Sequence, residues 1–206
     1  MLGTVFAVLK HDMIRGVSMA FVDSLTVMLL GLGLSAIVLA LYFLGKGSNK
    51  KWTNDLIVPA FTLGFFNFIS GFLMSFAWPL PGAYNMLFGD PLLMLGLIMM
   101  AGAYMLHKNI NINFLSIFGF FLGIYIAVGA LGMVNFGLES GVYFLTAFPL
   151  YVFAALSGVF SPLIYAKARG AGRYGYYFMF VLLIITALFA LLIGYSGLYE
   201  HLQSPP

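Results

Sequence analysis

FVLLIITALFALLI, residues Phe180–Ile193, decides the fold class: fourteen consecutive positions in which the single polar side chain is Thr186. Large apolar residues each favour bilayer insertion by about 0.3–0.6 kcal/mol, so the run as a whole favours it by roughly 5 kcal/mol. Such a run must also be helical. An unpaired backbone N–H or C=O in hydrocarbon costs several kcal/mol, and a helix pairs its groups within one segment. The polar/apolar alternation of a lipid-facing barrel strand is absent.

Working outward, further stretches approach the ~20 residues that a helix needs to cross a bilayer core. They are Phe21–Leu44, Leu56–Trp78, Leu92–Leu106, Phe114–Val134 and Val142–Tyr165, with Gly175–Tyr195 enclosing the opening run. The third is short unless it begins near Leu87. The whole chain agrees with this reading, since 63% of its 206 residues are hydrophobic and 7% are charged, against roughly a quarter charged in a soluble domain. The expectation is an all-α integral membrane bundle of six transmembrane helices over residues 21–199, followed by a short C-terminal tail over 200–206.

Basic residues set the orientation. Lys46, Lys50 and Lys51 follow span one, Lys108 follows span three, and Lys167, Arg169 and Arg173 follow span five, while the turns after spans two, four and six carry none. The positive-inside rule makes the basic side cytoplasmic and places both termini outside, in the cell membrane. Lys10 and Arg15 are exceptions. Residues 1–20 therefore read as an interfacial amphipathic segment, with Phe6, Leu9, Met13 and Val17 toward lipid and Lys10 and Asp12 toward water. A seventh, weakly hydrophobic crossing is the rival.

Several chemistries are excluded or disfavoured. The chain has no cysteine, which removes disulfides, thiolate metal sites and cysteine nucleophiles. The three histidines, His11, His107 and His201, lie at ends or in tails, where they cannot face one another across a bundle to hold a haem. Gly194–Gly197 matches the GxSG pattern of rhomboid-like intramembrane proteases, but no later helix carries a partner histidine. Phosphate-binding fingerprints are missing. No cofactor, catalytic residue or nucleic-acid partner is expected; a metal site stays undecided.

The least regular segment, WPLPGAYNMLFGD at Trp78–Asp90, precedes Pro91, and its prolines and glycines prevent a continuous helix. Irregular backbone near a membrane must be shielded by protein or water, so this segment reads as a structured cap or a partly re-entrant loop. It resembles an uncharacterised family of small polytopic prokaryotic membrane proteins, known as a domain of unknown function. The resemblance implies a family and no activity.

On the expected topology Asp12, Asp23, Asp90, Glu139 and Glu200 gather at the outer end. Asp23, Trp78, Tyr84, Asn85, Asp90 and Glu139 are thus candidates for an outer vestibule that admits ions or small solutes. The plainer reading of each is a helix-start carboxylate or an ordinary polar loop residue. Asn67, deep in span two, is the intramembrane polar candidate, for which an interhelical hydrogen bond suffices. Gly119 and Gly123, a GxxxG pair, and Gly31 with Ser35 suit close helix packing within the chain better than a dimer face. Two functions remain: a transporter or channel built from two three-helix halves, or a non-catalytic subunit of a larger membrane complex. Expected partners are membrane lipids, a second copy or other subunits.

Overall fold

The computed structural model describes residues 24–80, 82–166 and 172–203, and the expected amphipathic segment and Asp23 lie outside them. Six helices follow one another: α1 Ser24–Gly47, α2 Ile57–Ala77, α3 Asp90–His107, α4 Leu115–Phe136, α5 Gly141–Ala166 and α6 Gly172–Gln203. A 3-10 turn at Lys51–Leu56 leads into α2, and a π-helical turn at Asn85–Gly89 leads into α3. All six are long and apolar enough to cross a membrane, and no strand occurs among the described residues.

Two boundaries differ from the hydropathy reading. The third span starts at Asn85, because the π-helical turn runs straight into α3 and adds the length that Leu92–Leu106 lacked. The sixth continues through Gln203, so Glu200 and His201 are helical. Hydropathy marks where the hydrocarbon ends, whereas a helix continues as long as its backbone bonds and contacts hold. Here Tyr143 donates a 3.1 Å hydrogen bond to the Glu200 carboxylate and ties the extension to α5.

The helices form an antiparallel ring. Three closely packed pairs, α1 with α6, α2 with α3 and α4 with α5, are joined most sparsely at the α1/α2 and α3/α4 seams. At one end, the Arg173 Nε donates to the Gly47 carbonyl at 3.0 Å and the Ser48 and Tyr177 hydroxyls lie 3.2 Å apart. Lys46, Lys50, Lys51 and Lys108 share this basic end. At the other, Gly197 lies against Thr26, Tyr84 reaches Leu138, and Asp90, Glu139 and Glu200 gather.

Glycines set how closely the pairs approach. Lipid is as apolar as leucine, so helices in it associate through backbone proximity and fit rather than through burial of oil. A Cβ added at Gly96 would stand 2.7 Å from the Gly64 carbonyl oxygen, and one at Gly71 would stand 2.8 Å from that of Gly89. In the α4/α5 pair, a Cβ at Gly123 would meet the Ala155 carbonyl oxygen at 2.8 Å and one at Gly158 the Gly119 carbonyl oxygen at 2.6 Å. The GxxxG pair thus faces inward onto α5. The outward faces, including Phe61, Phe65, Phe72 and Phe76 on α2 and Phe118, Phe121 and Val128 on α4, are exposed, as suits a lipid-facing surface.

Candidate functional site

Inside the ring lies a cavity of about 230 Å³. It extends from Phe88, Ile126 and Tyr151 near the acidic end to Tyr42, Leu56, Leu106 and Ile112 near the basic end. Among the described residues no charged side chain lines it. Hydroxyls do reach it, and several donate to the protein's own carbonyls. Ser157 donates to Ala154 at 2.7 Å, Thr186 to Leu182 at 2.9 Å, Ser116 to Asn113, and Tyr151 to Leu87.

Ser161 shows why such a hydroxyl is needed. Pro162 has no N–H, so the Gly158 carbonyl four residues earlier loses its helical donor. The Ser161 hydroxyl lies 2.7 Å from that oxygen and 2.9 Å from the carbonyl oxygen of Ser116 on α4. It therefore repairs the helix or ties it to its neighbour, and its one proton is spent either way. The cavity wall is hydrocarbon in its chemistry.

Asn67 occupies the expected deep position, fully buried on α2. Its Nδ2 donates to the Ser35 hydroxyl at 2.7 Å, and Ser35 donates in turn to the Gly31 carbonyl at 2.7 Å. The Met99 sulfur of α3, a residue that also lines the cavity, lies 3.9 Å from the same Nδ2. One short polar chain thus fastens α1 to α2 and reaches α3. The Gly31/Ser35 pair supplies both the close approach and the acceptor.

The acidic-end loop is built around Asn85. Trp78 ends α2 in the left-handed conformation, with φ of 53°, since Pro79 disfavours a right-handed helical residue before it. The Leu80 N–H donates to the Asn85 Oδ1 at 2.9 Å, and the Asn85 Nδ2 donates to the Leu80 and Gly82 carbonyls. One buried amide thereby pairs backbone groups that a proline-interrupted chain cannot pair by itself. Tyr84 donates to the Leu138 carbonyl at 2.8 Å and joins this loop to the turn that carries Glu139. Asp90 accepts a 2.6 Å hydrogen bond from Tyr125, which bridges α3 and α4 across their sparse seam.

Of the residues singled out by sequence, Tyr84, Asn85, Asp90 and Glu139 therefore meet around one end of the bundle, and Trp78 stands at its edge, half exposed. The recess beside them, about 250 Å³, is lined by Gly82, Ala83, Tyr84, Leu87 and Leu138, with neither carboxylate on its wall. Burial holds the Glu139 carboxyl above its ordinary range. Burial, followed by the Glu139 charge, raises the Tyr84 phenol. Among the described residues no three His, Asp or Glu side chains stand together as a metal site. Sequence reasoning missed the cavity itself. Its only signal was the set of glycines that hold the ring's pairs together.

No curated protein and no solved structure matches the chain. A family model does, over residues 19–204, nearly its whole length, and the family is described as a protein of unknown function, DUF981. The chain belongs to that family of unknown function, and its own six helices are each long and apolar enough to cross a membrane.

Proposed function

We propose that the protein takes a hydrophobic small molecule from the bilayer into the interhelical cavity and holds or carries it there. The observation that supports this reading is the cavity wall, about 230 Å³ of space with no charged side chain among the described residues that line it. A dry apolar cavity of about 150 Å³ is enough to bind benzene, so this one suits a hydrocarbon of somewhat larger size.

Within the transport reading, the wall favours an apolar cargo over an ion. A permeating cation needs a ring of carbonyls or carboxylates to replace its water, and no carboxylate of a described residue lines the cavity. The two sparse seams offer lateral routes from the membrane, and the Asp90–Tyr125 bond closes one end of the α3/α4 seam.

Thermal unfolding of the purified protein in neutral phospholipid nanodiscs, titrated with decane, tests the reading. A ligand that binds only the folded state raises the midpoint progressively with concentration. Ala154→Leu, which places a larger side chain in the cavity, should raise the baseline stability and abolish the rise. A midpoint that never moves with decane, or that moves equally in the variant, defeats the proposal.

A further inference from the structure

We infer that the cavity's natural ligand is a single-chain anionic amphiphile of fatty-acid type, with its tail between the helices and its carboxylate at the basic end beside Lys46. The inference rests on the cavity reading above and adds the chemistry of the head group.

Three observations carry it. The cavity reaches the basic end, where Tyr42 and Leu56 line it. Directly over the Tyr42 ring, 5.5 Å from its centroid, sits the Lys46 ammonium, on an exposed side chain. Among the described residues no carboxylate pairs with Lys46 or with Lys108, which lies two residues beyond the lining Leu106. An apolar chamber that reaches the end of the bundle where these cations lie suits a molecule with a hydrocarbon body and a negative head.

The volume and the cation decide between anionic lipids. At about 1.5 times the size of a benzene-binding cavity, the space fits on the order of ten carbons, which is one chain and not two. Lysine binds carboxylate and phosphate alike as a point charge, so charge decides: a phosphate monoester carries close to two negative charges at neutral pH and a carboxylate one. Arg173, the described arginine at this end, already directs its Nε to the Gly47 carbonyl. A carboxylate monoanion is the better match to one ammonium.

The test compares decanoate, decanol and decyl phosphate by thermal-shift titration of the full chain in neutral phospholipid nanodiscs. Decanoate should bind about fivefold more tightly than decanol, the contribution of about one basic residue beside an anion. Lys46→Gln should remove that preference and leave decanol affinity unchanged; Lys46→Arg should retain the preference, which separates loss of charge from misfolding. If decanol binds while decanoate gains nothing, if Lys46→Gln leaves the ratio intact, or if decyl phosphate binds as well as decanoate, the carboxylate inference fails and the apolar cavity stands. If neither decanol nor decanoate binds, both readings fall together.

Discussion

At the scale of single residues, Asn67 and Ser35 are unequal partners. Ser35 keeps an acceptor in the Gly31 carbonyl whether or not Asn67 is present, whereas the Asn67 Nδ2 depends on Ser35 for its one close oxygen acceptor, and its Oδ1 is buried without a hydrogen-bond partner. Leaving a buried donor unpaired costs about 1–3 kcal/mol, while removing the polar group along with its needs is close to neutral. Ser35→Ala should therefore destabilise the fold by about 1 kcal/mol, and Asn67→Leu should be neutral or stabilising, both measured by unfolding in mild detergent. A greater loss in Asn67→Leu than in Ser35→Ala would contradict this account.

Glu139 belongs to the same scale. Its folded-state carboxyl is raised by burial, so the folded protein holds the proton more tightly than the unfolded chain. The associated stability is fully present below the ordinary carboxylate pKa and declines as pH rises through the raised value. Glu139→Gln should remove this decline, giving a flatter stability–pH curve just above the ordinary carboxylate range and a higher midpoint at neutral pH. An unchanged curve would show that the burial carries no penalty.

At the scale of elements, the helix pairs are held by backbone proximity, and glycines should divide sharply by position. Gly96→Ala or Gly158→Ala forces a methyl group against backbone of the facing helix, which cannot swing aside as a side chain can. A loss of about 1–3 kcal/mol follows, or failure to accumulate. Gly132→Ala is the control, since its nearest foreign atom is the Phe136 ring at 3.8 Å, and replacing a helical glycine with alanine gains up to about 1 kcal/mol. Equal behaviour of the three variants in unfolding measurements would mean that the α2/α3 and α4/α5 pairs are not closely packed. The inward use of Gly119 and Gly123 also removes the reason to expect oligomerisation through that motif.

At the scale of the molecule, the antiparallel ring puts the described basic residues Lys46, Lys50, Lys51, Lys108 and Arg173 on one side. The absence of cysteine makes this directly measurable. Single cysteines at Ser48 and Lys108 should react with an impermeant maleimide from one side of the membrane, the cytoplasmic side by the positive-inside rule, and one at Ser140 from the other. Labelling of Ser48 and Lys108 from opposite sides would overturn the ring's connectivity.

Much of the architecture was legible in the sequence because insertion free energy adds up residue by residue along a continuous run. The six spans, their all-α character and the gathering of bases at alternate turns needed only composition and order. The irregular segment at Trp78–Asp90 could also be located, because proline and glycine act on their own backbone. That Asn85 is the residue holding this segment could not, since its partners depend on how the loop closes on itself.

What only the tertiary structure decided is which faces meet. In water, a helix's apolar stripe announces its buried side; in lipid, both sides are apolar and the stripe vanishes. The pairing of α1 with α6, the choice of Gly64, Gly71, Gly89 and Gly96 as contact points, and the central cavity arise from shape complementarity between segments distant in the chain. So does the fate of Ser116, Ser157, Ser161 and Thr186, polar by composition but with their protons given to the carbonyls beside them. Sequence alone determined that the chain carries six runs long and apolar enough to cross a membrane, and three-dimensional fit alone determined that a largely apolar space remains among them.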